Sequence, residues 1–193
     1  LEKKNGQYIF HFASDKNQSS ISDVFPISIK KIWVGYESSG FIIADKDKLI
    51  DNQQMYFNQS GIKSFLADEE HNIIWISTLS GLIAYHVPSK NYKIFSEADG
   101  LGNSHVYGAL KNNNDLWLST NRGLSNVILT WDRKEIFPSA RFINYSSKDG
   151  LPDDEFNTGA FHKGRSGDFY FGTVRGLVWF KPENINPNPN PPA

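Results

Sequence analysis

Short runs in which apolar residues alternate with polar ones, separated by polar or glycine-bearing turns, cover most of this chain and predict β-strands. Four of these runs share one form, an aromatic residue followed by a small residue, a short turn and a glycine. They are Ile32-Trp33-Val34-Gly35 with Gly40-Phe41, Ile74-Trp75-Ile76-Ser77-Thr78 with Gly81-Leu82, Leu116-Trp117-Leu118-Ser119-Thr120 with Gly123-Leu124, and Phe169-Tyr170-Phe171-Gly172-Thr173 with Gly176-Leu177. Around them three further series recur. Tyr8–Phe12, Gln54–Phe57, Tyr92–Phe95 and Arg141–Tyr145 form the first. The second, Ile21–Ile29, Ile62–Ala67, Val106–Leu110 and Phe156–Phe161, holds small residues such as Ser64, Gly108, Ala109, Gly159 and Ala160. Phe41–Ala44, Leu82–Val87, Leu124–Leu129 and Leu177–Phe180 follow each glycine and complete four strands per repeat.

Trp33 to Trp75 and Trp75 to Trp117 are both 42 residues, and Trp117 to Tyr170 is 53, an insertion of about 11. A period of this length with four short strands is the signature of a β-propeller blade. The fold expected is all-β, about four blades of four antiparallel strands centred on Trp33, Trp75, Trp117 and Tyr170. Small residues suit the innermost strands, which crowd the axis, and the repeated aromatics suit packing between blades. Asn112-Asn113-Asn114-Asp115 and Ser166-Gly167-Asp168 tolerate the positive φ of hairpin turns. Glycines 40, 81, 123 and 176 are expected in the left-handed region for the same reason. Asp99-Gly100 and Asp149-Gly150 predict turns before an innermost strand. Residues 1–183 then form the blades, and the Pro/Asn-rich 184–193 forms an extended linker. Sixteen strands close as a four-bladed ring only if Tyr8–Phe12 completes the last blade. An open arc cut from a larger ring is the other arrangement.

Composition narrows the function classes. Lys plus Arg number 20 against 21 for Asp plus Glu, which leaves no basic footprint for nucleic acid or an anionic membrane. Cysteine is absent, which excludes disulfides, thiolate catalysis and cysteine metal sites. No apolar run reaches the roughly 18 residues of a membrane span, and Leu1 opens the chain without an initiator Met or a signal peptide. A segment of a longer protein is expected.

The form Leu-Trp-Leu-Ser-Thr-x-x-Gly-Leu at 116–124, the run from Tyr145 through Lys148-Asp149-Gly150-Leu151-Pro152 to Asn157, and the closing Gly172-Thr173 to Pro182 and Ile185 resemble two-component regulator propeller repeats. The first repeat departs from the pattern, with Tyr36 where Thr is usual and a turn one residue longer. The resemblance implies the C-terminal part of a larger propeller in the periplasmic sensor region of a hybrid two-component regulator. There the proline tail leads to an immunoglobulin-like domain, a membrane helix and a cytoplasmic histidine kinase outside this chain. It further implies an oligosaccharide ligand and a homodimeric parent, with this chain serving as a ligand rim or a coupling element. A protein-binding scaffold without a small ligand is the alternative.

Candidate contacts lie on the turns of one rim. Arg122 and Arg175 share a register before the repeat glycine, and a pair of guanidinium groups can clasp uronate or sulfate bidentately. Solvated turn arginines are the simpler account. His105 and Tyr107 open an innermost strand and can stack on or hydrogen-bond a sugar, or merely fill the rim. Asp153-Asp154-Glu155 reads as a solvated acidic loop. The five histidines, at 11, 71, 86, 105 and 162, have no metal-ligand spacing, and Asp45-Lys46-Asp47 is too short for a calcium loop. No nucleophile elbow or phosphate-binding loop occurs, so no catalytic residue, metal or cofactor is expected.

Overall fold

A computed structural model describes residues 2–4, 7–9, 19–28, 31–45, 54–57 and 60–185 of the chain. Every regular element among them is a strand or a single 3-10 turn. The first two strands, β1 (Glu2–Lys4) and β2 (Gln7–Ile9), pair with each other as a hairpin. The expected outer strand Tyr8–Phe12 therefore begins in β2, whose partner is β1, and its remainder lies outside the described residues.

The repeats then fold as antiparallel sheets laid down in chain order. The first holds β3 (Ile21–Pro26), β4 (Lys31–Tyr36), β5 (Phe41–Asp45) and β6 (Met55–Tyr56). In the second, β7 (Ile62–Asp68), β8 (Ile73–Thr78), β9 (Gly81–His86) and β10 (Tyr92–Phe95) follow the same order. The third is β11 (Val106–Asn112), β12 (Asp115–Thr120), β13 (Gly123–Thr130) and β14 (Ser139–Tyr145). The last has three strands among the described residues, β15 (Phe156–Lys163), β16 (Phe169–Thr173) and β17 (Leu177–Phe180). The strand expected over Ile21–Ile29 stops at Pro26, where the chain turns and the amides of Ile27 and Ser28 both donate to the Lys31 carbonyl, and Ile29 lies outside the described residues.

Successive sheets meet along their first strands, β3 against β7, β7 against β11 and β11 against β15, so these are the innermost strands of successive propeller blades. Small residues make that approach possible. A methyl group on Gly108 would run into the Phe161 ring of the next blade, and one on Gly35 would run into Ile62 of the next blade. The tryptophan of each of the first three repeats is the mortar between blades, whereas Tyr170 at the same register of the fourth is only half-buried. Trp33 stacks on Phe41 at 4.6 Å and meets Phe65 and Tyr85 of the next blade edge-on at 5.7 and 5.2 Å. Trp75 shares a buried cluster with Ala109, Leu116 and Leu118 of the third blade, and Trp117 lies 4.7 Å from Phe180 of the fourth. Trp33, Trp75 and Trp117 are all buried.

The turns carry the backbone signs expected of them, with one correction. Asn72, Asn113 and Gly167 take positive φ in the hairpins between first and second strands. Glu97–Asp99 and Ser147–Asp149 are 3-10 turns closed by left-handed Gly100 (φ 107°) and Gly150 (φ 96°), with the amides of Ser96 and Ser146 donating to Asp99 and Asp149 at 2.8 and 2.9 Å. Of the repeat glycines, Gly81 (φ 121°) and Gly123 (φ 91°) are left-handed, but Gly40 and Gly176 are not. Gly40 is required by space instead: a Cβ there would collide with the carbonyl of Tyr56 on the outer strand. The insertion of the third repeat is taken up by the longer β13 and β14, the 131–138 loop between them and the wider 164–168 turn.

Candidate functional site

The registers bring the starts of the innermost strands and the ends of the Trp strands to one end of every sheet. Ile21 pairs with Tyr36, Ile62 with Thr78, Val106 with Thr120 and Phe156 with Thr173. A repeated hydrogen bond fastens this rim. The amides of Glu37, Leu79, Asn121 and Val174 donate to the carbonyls of Ser20, Gly61, His105 and Glu155 at 2.9 to 3.2 Å. The threonine of the repeat organises the turn itself. The Thr78, Thr120 and Thr173 hydroxyls donate to the carbonyls of Gly81, Gly123 and Gly176, and accept from the amides of Ser80, Arg122 and Arg175.

Arg122 and Arg175 thus occupy equivalent exposed positions on the rims of the third and fourth blades, as their common register requires. His105 is exposed on the rim of the third blade, with its amide held by Asn103 Oδ1 at 3.1 Å. Tyr107 falls where the pairing register of β11 shifts between Val106 and Gly108. Such a bulge re-aims a side chain, and the Tyr107 hydroxyl donates to Asn121 Oδ1 at 3.0 Å. Burial, and then the charge of Glu155, push the Tyr107 phenol up. Asn121 is a rim residue that sequence spacing did not single out, and Glu155 belongs to the acidic run read from the sequence as a solvated loop. The acidic run 153–155 is built into the loop: Asp154 accepts from the Ser147 amide at 2.5 Å and its hydroxyl at 2.9 Å, and its carbonyl accepts from the Gly123 amide at 2.6 Å.

A second polar centre lies at the opposite end, where β7 turns into β8. The Asp68 side chain is fully buried and accepts from Lys111 Nζ of the third blade at 2.5 Å, while His71 Nδ1 lies 3.1 Å from both of its oxygens. Burial alone would raise the Asp68 pKa, but the hydrogen bonds and charges of Lys111 and His71 outweigh it and hold the carboxyl below its usual range. The His71 ring stacks on Trp131 of the 131–138 loop at 3.5 Å with planes 3° apart. Among the described residues Asp68, Glu70 and His71 place ligand atoms within 4.8 Å of one another. The ammonium of Lys111 already neutralises the buried carboxylate, so the arrangement is an ion link between blades. Its partners are 43 residues apart in the chain, on adjacent innermost strands.

No family model matches the chain. It is 29% identical over 178 residues to histidine kinase P4 of Formosa agariphila, covering 87% of this chain and 12% of that protein. Among solved structures, the protein described as the extracellular domain of the hybrid two-component system BT3049 from B. thetaiotaomicron superposes with a TM-score of 0.71 at 24% identity, over 91% of this chain and 24% of that one. The extracellular domain of BT4673 from the same organism gives 0.63 at 15% identity, over 86% of this chain and 22% of that one. This chain therefore spans only a small part of each relative. Its repeats are propeller blades of the fold that builds the extracellular domains of hybrid two-component systems.

Proposed function

We propose that this chain is part of the extracytoplasmic sensor region of a two-component histidine kinase, and that it passes the binding of an oligosaccharide to the domains that follow it. The observation that carries the reading is the agreement of two likenesses over most of the chain, one to a histidine kinase in sequence and one to an extracellular domain in fold. The relatives in fold are extracellular domains, so the chemistry of signalling belongs to other parts of the protein. The rim supplies what recognition of an acidic sugar needs: two exposed guanidinium groups, the His105 ring and the Tyr107–Asn121 pair. Amide-to-carbonyl bonds from one blade into the entry loop of the next, Gly81 to Ser104 at 2.8 Å and Gly123 to Asp154 at 2.6 Å, tie neighbouring blades so that a contact on one displaces the other. A ligand shifts such an arrangement only by its differential affinity for two states.

Calorimetric titration of the complete extracytoplasmic region, and of this chain alone, against neutral and acidic oligosaccharides tests the reading. Binding by this chain that Arg122→Ala or Arg175→Ala abolishes assigns the ligand to this rim. Binding by the complete region alone makes these blades a coupling element. No binding by either refutes the oligosaccharide reading.

A further inference from the structure

The 131–138 loop, lengthened by the insertion of the third repeat, folds against the end of the second blade that carries the β7–β8 turn. Trp131 stacks there on His71, and Lys93 Nζ of the second blade donates to the Pro138 carbonyl at 3.1 Å. A cavity of about 290 Å³ lies between loop and blade, with His71, His86, Trp131, Asp132, Arg133 and Glu135 in its walls. The histidines carry no metal-ligand spacing in the sequence, but the strand register brings these two together. His71 sits in the turn before β8, and His86 ends β9 opposite Ile73, which begins β8. Tyr85 packs with Trp33 of the first blade, so alternation turns the His86 side chain toward the third blade, from which the loop comes.

Each imidazole is held through Nδ1. The Asp68 carboxyl has a depressed pKa and is ionised at neutral pH, so toward His71 it can only accept. His71 Nδ1, 3.1 Å from both of its oxygens, therefore carries the ring proton, and Nε2 keeps a lone pair. A carboxylate behind an imidazole in this way fixes the tautomer and orientation of a metal-binding ring. Ser89 Oγ, 2.7 Å from His86 Nδ1, can accept a proton from that ring in the same manner, giving up the long 3.4 Å contact from the Ser89 amide to Nδ1. We propose that the cavity binds a divalent transition-metal ion of the zinc type through Nε2 of His71 and of His86, with the Glu135 carboxylate as third ligand and water completing the tetrahedron. Imidazole nitrogen selects zinc, copper or nickel, whereas calcium and magnesium take oxygen ligands. Glu135 is exposed and has no side-chain hydrogen bond or ion pair among the described residues, while Asp132 Oδ1 already accepts from the Lys134 amide at 2.9 Å. Among the described residues only Asp68, Glu70 and His71 have ligand atoms already gathered within 4.8 Å, so the ion draws the Glu135 side chain inward. Asp132 and Glu135 outnumber Arg133 in the cavity wall, and Lys111 stays with Asp68. The ion joins the second blade, which supplies both imidazoles, to the third, which supplies the carboxylate.

Calorimetric titration of the 193-residue chain with zinc chloride alone tests this, with one ion bound per chain and a higher melting temperature in its presence expected. His86→Ala and Glu135→Gln each weaken binding by about tenfold or more. Calcium or magnesium at roughly hundredfold excess does not compete. Nitrogen-15 spectra of the imidazoles identify the ligands without substitution: zinc moves the Nε2 resonances of His71 and His86 and leaves those of His105 and His162 in place. Copper(II), taken up by the same donors, quenches tryptophan fluorescence, and Trp131→Phe removes most of that quenching at unchanged stoichiometry, because the Trp131 indole stacks on a ligating ring. Absence of binding, binding that His86→Ala leaves unaltered, or resonance shifts that extend to His105 and His162 overturns the proposal.

Discussion

Glycine at one register of a repeat serves different ends in different copies, and substitution separates them. At Gly81 and Gly123 an alanine meets both a left-handed backbone and an outer-strand carbonyl, and at Gly40 it meets the carbonyl alone. Each of these three changes to Ala is expected to lower stability in urea by more than about 1 kcal/mol. Gly176→Ala meets neither obstacle and is expected to change the stability of a monomer by only a few tenths, within the usual range of about 0.5 kcal/mol for surface changes. Equal losses at all four positions would refute the distinction. Trp75, buried between the second and third blades, is a packing residue, and Trp75→Ala should cost about 3–5 kcal/mol in the same assay.

Between elements, one of the ties joining the second and third blades is polar. Lys111→Ala leaves the buried Asp68 carboxylate with His71 alone and is expected to cost about 3 kcal/mol, near the low end for breaking a buried pair, since the Lys111 side chain is 19% exposed. Asp68 has a depressed pKa, so its contribution is fully present above the ordinary carboxylate value and is lost as pH falls through the lower folded value. The stability gap between the wild type and Asp68→Asn should therefore be flat near neutrality and close below about pH 4. Denaturant titrations across pH measure it, and a gap that persists in acid would refute the assignment. None of this was legible in the sequence, where Asp68 and Lys111 stand 43 residues apart with no motif between them. The Trp strands were legible because each combines an apolar run, a fixed turn and a glycine at a constant period. The same holds for Arg122 and Arg175, whose register predicted their common rim. Tyr107 was legible as a rim residue, but its bond to Asn121 depends on a register shift in β11 that alternation cannot show. The reason for Gly40 was hidden likewise, since the carbonyl that excludes a side chain there comes from another strand.

Across the whole molecule, stability should grade from blade to blade. The second and third blades are each flanked by neighbours, whereas among the described residues the fourth has no strand beyond β17 and leaves Leu177 half-exposed. Native-state hydrogen exchange on a dilute sample should accordingly find the amides of β8 and β12 slowest and those of β17 among the first to exchange. Uniform protection across the blades would refute the gradient. The blades meet through innermost strands that follow one another in chain order, and each outer strand runs straight into the entry loop of the next blade. Such an arrangement has a bearing on how the molecule can change over generations. A tandem duplication of one 42-residue unit delivers a new blade together with both of its seams, already shaped to fit, so ancestry by copying is the cheapest route to a longer arc.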